Sequence, residues 1–208
     1  MTRQEEKREF VFEAASGVFS NYGFRRTSMN DIANAAGISR PALYIMFENK
    51  EDLFRQLVTQ RQEHAISEAV DVLQRDTPMA DRIVEAVLAY ERTFYEPVSA
   101  SPHGAELMDM GASLALAELR KGHDRLVDHL ARAIENAVSL GEVDLSGVNV
   151  KPKAFVELLL SSVGGQKKSA TSLKDFRRRI RDVGRIFTLC IASGAAGKNT
   201  GGEEGAGR

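Results

Sequence analysis

Apolar residues recur along this chain at the three- and four-residue spacing of amphipathic helices, and no segment has the alternation of a convincing strand. Glycine and proline interrupt this pattern and mark where helices begin and end. We predict about nine helices, over residues 4–22, 28–36, 39–47, 50–75, 79–95, 102–111, 113–140, 152–169 and 174–192. The sequence therefore predicts an all-α fold with loops near residues 97–102 and 141–151.

The second and third predicted helices are short and adjacent. Ser28 and Asp31 have the spacing of a capping box, in which each side chain satisfies a free backbone N–H group at the helix start. Gly37 ends that helix, because glycine readily adopts the left-handed conformation found there. Ser39 then offers a second N-cap, and Pro41 is tolerated in the first turn. The stretch therefore predicts two short helices joined by a glycine turn.

Only one edge of the third predicted helix is apolar enough to be buried. Leu43 and Phe47 are four residues apart and form that edge. The outward residues are then Arg40, Pro41, Tyr44, Ile45 and Met46. A short helix with a displayed face, following a glycine turn, is typical of the helix-turn-helix motif that enters a DNA major groove. We place that motif at residues 28–47.

The same stretch resembles the DNA-binding region of the tetracycline-repressor (TetR) family of bacterial transcriptional regulators. The matching positions are Ala33, Gly37, Ser39, Leu43, Tyr44, Phe47, Lys50, Glu51 and Leu53, with Phe12, Ala14, Ala15, Phe19, Gly23 and Phe24 upstream. The resemblance implies a three-helix DNA-binding domain over residues 5–65 and a helical effector-binding and dimerisation domain over 66–193. We expect the glycine-rich segment 194–208 to be a disordered tail.

Candidate DNA contacts follow from the residue types and from the family's pattern. Arg40 can donate two hydrogen bonds to guanine, and apolar neighbours can pack on thymine methyl groups. Hydroxyl, phenol and ammonium groups suit the phosphates. Met46 departs from the family, which commonly has histidine or tyrosine there. The predicted set is Thr27, Ser28, Asn30, Ser39, Arg40, Pro41, Ala42, Tyr44, Ile45, Met46 and Lys50.

One such motif reads too few base pairs to be selective, so we expect a homodimer on a near-palindromic, double-stranded DNA operator. The resemblance implies that the last two helices form the dimer as a four-helix bundle. Small residues at 161–162 and 164–165 permit close approach, and an apolar stripe runs from Phe176 to Ile191. The alternative is that both helices only close the core of a monomer.

The resemblance also implies a pocket for a small-molecule effector, within the body between about residues 55 and 196. Few charges interrupt the apolar faces, which favours a mostly apolar ligand. The same side chains are equally suited to an ordinary core, and the histidine among them lies on an apolar stripe typical of a buried residue. The candidates are Tyr90, Phe94, Tyr95, Met108, Met110 and His123.

Composition narrows the class of protein. The 208 residues carry a formal net charge of −1 at pH 7, so the placement of charges, not their sum, must attract DNA. Cys190 is the only cysteine, which excludes an internal disulfide framework and a cysteine-rich zinc site, and its apolar neighbours favour buried packing. No apolar run approaches the ~18 residues of a membrane helix, and the charged N-terminus has no signal-peptide core. We expect a cytoplasmic protein without membrane contact.

Two further patterns have ordinary explanations. His64 with Glu68, and His103 with Glu106, are isolated pairs that lack the further ligands of a metal site. The arginine-rich run at 177–181 has acidic partners at i,i+4 spacing, which favours a solvated face over a nucleic-acid patch. We therefore expect no metal, no cofactor and no enzyme activity.

These observations predict a ligand-responsive DNA-binding regulator, a repressor that occupies an operator as a dimer and is released by a small molecule. One alternative is a DNA-binding adaptor whose body binds a protein partner. Another is a helical enzyme with a DNA-binding appendage, although no nucleophile–base or metal constellation supports it.

Overall fold

The computed structural model describes residues 3–189 and 191, and this part of the chain forms nine α-helices and no strand. The predicted all-α class is confirmed. Cys190 and the predicted tail lie outside the described residues. The helices are α1 (Arg3–Tyr22), α2 (Met29–Ala35), α3 (Arg40–Met46), α4 (Lys50–Leu73), α5 (Met79–Ser99), α6 (Gly104–Leu114), α7 (Leu116–Ser139), α8 (Pro152–Ser169) and α9 (Leu173–Leu189).

The N-terminal unit, here called the head, consists of α1, α2, α3 and α4 as far as Leu57. Its core is rich in phenylalanine. The ring centroid of Phe24 lies 5.4 Å from that of Phe19 and 5.1 Å from that of Phe54, so the loop after α1 closes the core as predicted. Leu107 and Ala115, at the two ends of α6, are buried in the same core. The head therefore rests directly on α6.

The remainder, here called the body, is a ring of helices. α4 packs on α5 and α7, α8 packs on α7 and α9, and α9 returns to α5. Their shared core runs from Ala65 of α4 to Phe176 and Ile180 of α9. The 24 residues of α4 extend about 36 Å and belong to both units, so this helix connects the head to the body.

Two predicted loops are more ordered than expected. The predicted start of the loop at residues 97–102 is wrong, because α5 continues through Pro97 to Ser99. Pro97 is exposed and lies in the last turn of α5. Proline cannot donate the backbone N–H hydrogen bond of a helix, and near the end of α5 little helix remains for this loss to disrupt. In the connection after α7, Val143 and Leu145 are buried in the body core. That connection is therefore packed against the body.

The apolar stripe predicted on α7 is confirmed at Leu126, Leu130, Ile134 and Ala137, but it is wrong at His123. His123 is exposed, and the inner face of α7 passes instead through Leu119, Gly122 and Leu126. Gly122 is buried because Gln62 of α4 lies against it, and a Cβ atom at position 122 would sit 2.3 Å from Cδ of Gln62. Glycine has no apolar side chain, so the sequence pattern assigned this part of the buried face to His123 instead of Gly122.

Candidate nucleic-acid interface and internal cavity

The start of α2 has the predicted capping box. Oγ of Ser28 accepts a hydrogen bond from the backbone N–H of Asp31 at 3.3 Å, and Oδ2 of Asp31 accepts one from the backbone N–H of Ser28 at 2.8 Å. The hydroxyl of Ser28 also donates to Asp31, and these bonds hold the pKa of the Asp31 carboxyl below its ordinary value. The box fixes where α2 begins and therefore where the motif starts.

The turn between α2 and α3 sets their relative direction. Gly37 has φ of +64°, the left-handed conformation that the sequence predicted, and the N–H of Ile38 donates to the carbonyl of Ala33 at 3.0 Å. Oγ of Ser39 then caps α3 by accepting from the N–H of Ala42 at 3.3 Å. Leu43 is fully buried and anchors the inner edge of α3. The opposite face of α3 is thus held outward by local bonds.

The outer face of α3 displays four of the predicted DNA contacts. Arg40, Pro41, Tyr44 and Ile45 are exposed, with 86% of Ile45 accessible to solvent. The guanidinium of Arg40 lies over the Tyr44 ring, 5.5 Å from its centroid, and donates to the phenol oxygen at 3.4 Å. Stacking on Tyr44 holds the guanidinium of Arg40 along the helix surface.

An exposed face of this composition suits the major groove. A bidentate contact from an arginine to guanine O6 and N7 contributes about 1–3 kcal/mol of base discrimination. The side chain of Ile45 can cover a thymine methyl group. Ser28, Asn30 and Ser39 are exposed at the helix starts, where N–H groups and hydroxyls suit phosphate oxygens.

Two predicted phosphate contacts point into the head. Thr27 is 3% exposed, and its hydroxyl donates to the carbonyl of Gly23 at 2.6 Å. The ammonium of Lys50 donates to the carbonyls of Phe24 and Thr27, both at 2.8 Å, and lies 4.3 Å from the centroid of the Phe24 ring. Both residues fasten the loop between α1 and α2 to the rest of the head, so the structure gives them an internal role.

Met46 also differs from its prediction. It is half-buried and packs against the head core, because it lies three residues after Leu43 and beside Phe47 on the inner edge. The prediction that Met46 looks outward is wrong in this respect. Ala42 is likewise half-buried, beneath the exposed row of α3. The displayed face is therefore narrower than the sequence suggested.

A cavity of about 270 Å³ lies between the head and the body. Phe94, Tyr95 and Met108 line it, as three of the six effector candidates. Tyr90, Met110 and His123 do not line it. The described lining residues are Ser16, Phe19, Ser20, Phe54, Leu57, Val58, Arg61, Phe94, Tyr95, Val98, Leu107, Met108, Gly111, Leu119 and Lys167.

Sequence reasoning missed the two charged residues of this lining, Arg61 and Lys167. Each interrupts an apolar helix face: Arg61 follows Phe54 by seven residues on α4, and Lys167 follows Leu160 by seven on α8. A charge at the i+7 position of a buried stripe was the available signal.

Within the described part of the chain, no helix is long and apolar enough to cross a membrane. Among the same residues, no three histidine, cysteine or acidic side chains lie close enough together to hold a metal ion. His103 instead pairs with Glu106 at 3.3 Å, and Glu106 accepts from the backbone N–H of Arg25 at 2.8 Å. That bond lowers the pKa of Glu106 and joins α6 to the head.

Residues 11–57 match the family described as bacterial regulatory proteins, tetR family. YhgD, an uncharacterised HTH-type transcriptional regulator of Bacillus subtilis, is 21% identical over 141 residues, covering 66% of this chain and 72% of that protein. A probable acrEF/envCD operon repressor of Escherichia coli is 42% identical over 60 residues, which are 29% of this chain and 25% of that protein. The second similarity thus spans a quarter of that repressor's length.

Solved structures resemble this chain over most of its length. SmeT, the repressor of the Stenotrophomonas maltophilia multidrug efflux pump SmeDEF, superposes with a TM-score of 0.66 at 22% identity. The superposition covers 90% of this chain and 91% of that one. At this identity the likeness establishes the fold alone.

Proposed function

We propose that this chain is a dimeric repressor that a small molecule releases from its operator. The proposal starts from the premise that the chain belongs to the TetR family of bacterial transcriptional regulators. The outer face of α3 carries this proposal. It presents a stacked arginine and an exposed aliphatic side chain on a helix fixed by a glycine turn and two capped starts. Those are the elements that a major-groove reader needs.

The exposed surface of α8 and α9 supports a dimer. Leu158 is 55% exposed and Leu189 is 78% exposed, although both are large apolar side chains. Cβ atoms built on Gly164 and Gly165 would meet nothing within 4 Å, so this part of α8 is open to close approach by another helix. Burial of such a surface against its own copy would place two heads on one DNA face, about 34–36 Å apart for successive major grooves.

The cavity supports regulation by a ligand. It is bounded by α1 of the head, by α4, and by α5, α6, α7 and α8 of the body. A molecule inside it can distinguish two arrangements of head and body by its contacts. Such a molecule shifts the population towards the arrangement that it binds more tightly, which changes the distance between two heads.

Selection of bound fragments from the source bacterium's genomic DNA, followed by footprinting, tests the proposal. We expect the wild-type protein to protect a near-palindrome with two half-sites. The double variant Leu158→Arg, Leu189→Arg should sediment as a monomer and lose most operator affinity. Leu140→Arg is the matched control, because Leu140 is 81% exposed at the end of α7 and borders residues of α4 and α5.

Two results would contradict the proposal. The first is wild-type binding that does not depend on DNA sequence. The second is a monomeric variant that still protects both half-sites with unchanged affinity.

A further inference from the structure

The cavity has walls from both units of the molecule. Ser16, Phe19 and Ser20 of α1 come from the head, and Leu107 and Met108 come from α6 beneath it. A ligand here touches the first helix of the DNA-binding unit directly. Its effect on the head therefore does not depend only on movement transmitted through α4.

The chemistry of the lining favours one class of ligand. Most of the described lining side chains are aliphatic or aromatic. The two charged ones, Arg61 and Lys167, are both cationic, and no acidic side chain is among the described lining residues. A ligand with an apolar body and one negative group matches this distribution.

The two cations differ in their partners. Nζ of Lys167 lies 2.9 Å from Oε2 of the buried Glu91 and 4.5 Å from the centroid of the Tyr95 ring, so its charge is balanced within the protein. Arg61 donates from Nη2 to the neutral hydroxyl of Ser16 at 2.6 Å and forms no ion pair with any described residue. Arg61 is thus the cation available to an anion.

The surroundings of Arg61 make an anionic partner favourable. Burial lowers the pKa of its guanidinium, while the more distant charges of Glu13 and Glu9 raise it. Partial desolvation therefore penalises the charge, and no direct carboxylate contact in the described chain offsets that penalty. A charge-assisted hydrogen bond to a carboxylate is stronger than one to a neutral hydroxyl.

We infer that the cavity binds a compact amphipathic organic anion, whose apolar part packs between Phe19 and Phe94 and whose carboxylate pairs with Arg61 in competition with the Ser16 hydroxyl. The volume of about 270 Å³ suits a body such as two fused aromatic rings. The regulatory consequence rests on the proposed function: exchange of the Arg61–Ser16 bond for a bond to the ligand removes one of the hydrogen bonds that join α1 to α4 and shifts the position of α1 in the head.

Isothermal titration of the full-length protein, without DNA, tests the ligand class. The three probes share a naphthalene body: 1-naphthaleneacetate, 1-naphthaleneacetamide and 1-naphthylmethylammonium. We expect the carboxylate to bind roughly ten times more tightly than the neutral amide, equivalent to about 1.4 kcal/mol, and the cation to bind most weakly. Equal affinities for the three probes, or no binding of the carboxylate, would overturn the inference.

Variants assign the charge preference to one residue. Arg61→Gln should abolish the difference between carboxylate and amide, whereas Ser16→Ala should keep the difference and raise carboxylate affinity several-fold by removing the competitor. Arg125→Gln is the control, because Arg125 pairs at 3.0 Å with Glu63 outside the cavity. The inference is contradicted if Arg61→Gln still prefers the carboxylate to the amide, or if Ser16→Ala binds the carboxylate more weakly than the wild type. If Arg61→Gln does not fold, the result for Ser16→Ala decides.

A parallel measurement separates this inference from the proposed function. Operator affinity is measured by fluorescence anisotropy with and without saturating 1-naphthaleneacetate. If the probe binds through Arg61 and leaves operator affinity unchanged, the site stands and the ligand-released repressor model fails. If the operator is bound but all three probes bind equally, the anion inference fails and the DNA-binding proposal stands.

Discussion

The head and the body use polar side chains in different ways. In the head, Ser28, Asp31 and Ser39 bond to backbone groups three residues away and remain exposed. In the body, Glu91 and Glu96 of α5 are each 5% exposed and reach partners on other helices. These side chains of the head are therefore held by near neighbours in the sequence, whereas these two acids of the body are held by contacts between distant segments.

The two buried acids hold α5 against the C-terminal helices. Glu91 pairs with Lys167 of α8 at 2.9 Å, and Oε1 of Glu96 accepts from Nε of Arg177 of α9 at 2.7 Å. Burial raises the pKa of Glu91, with a smaller opposing effect from Lys167. Loss of either partner leaves a carboxylate without compensation in a poorly solvated place.

The largest effect that we expect comes from Lys167→Met. It removes the partner of Glu91 and should lower the free energy of unfolding near pH 7 by roughly 2–4 kcal/mol. This loss is smaller than the loss expected for a fully buried ion pair, because Lys167 is partly exposed. Urea unfolding measures it. The control is Lys153→Met, whose pair with Asp128 at 2.9 Å is exposed on both sides and should change stability little.

The pH dependence of this loss follows from the sign of the Glu91 shift. A carboxyl whose pKa is raised in the folded state favours folding at low pH, and that contribution is lost as the pH rises through the folded pKa. Lys167→Met removes an interaction that lowers this pKa. The difference in stability between variant and wild type should therefore widen with rising pH; a difference that narrows instead means that Glu91 is not the source.

The difference between local and long-range bonds also explains what the sequence could predict. The capped starts of α2 and α3 and the turn at Gly37 depend on residues within one helical turn, and all three are present. The predicted i,i+4 pair of Arg178 with Asp182 is confirmed at 2.8 Å for the same reason.

Contacts between distant segments were not predictable in this way. Nothing near Lys167 in the sequence indicates Glu91, and the internal bonds of Lys50 reach back 23 and 26 residues. The family's pattern suggested a phosphate contact for Lys50, and a lysine is usually exposed. Of the effector candidates, Phe94, Tyr95 and Met108 line the cavity, whereas His123 is exposed and Gly122 lies on the inner face of α7.

Effects of intermediate size are expected from Arg40→Ala, at an exposed residue of the head, and from Lys50→Ala, at a residue bonded inside it. Arg40→Ala should leave stability nearly unchanged and relax base preference at one position of each half-site by about 1–3 kcal/mol. Lys50→Ala instead leaves two carbonyls without their charged donor and should destabilise the head by roughly 1–3 kcal/mol. Competition binding to single-base operator variants, together with thermal unfolding, distinguishes the two.

The salt dependence adds a second measure of Lys50. A phosphate contact adds about one to the magnitude of the slope of log affinity against log salt. If Lys50 acts only inside the head, Lys50→Ala should leave this slope unchanged at temperatures where the variant is folded. A flatter slope with unchanged stability would restore the phosphate role that the family's pattern suggested.

The smallest effect concerns Ser39, which can act as a helix cap, as a phosphate contact, or as both. Ser39→Ala removes the bond to the N–H of Ala42 and should cost about 1 kcal/mol, whereas Ser39→Gly should cost only a few tenths. Both variants lack the hydroxyl, so a direct phosphate contact predicts equal losses of DNA affinity. If capping of α3 dominates, affinity follows stability and the glycine variant binds better than the alanine variant. Paired anisotropy and thermal unfolding measurements on the two variants therefore decide whether the local bond that shapes α3 also touches the DNA.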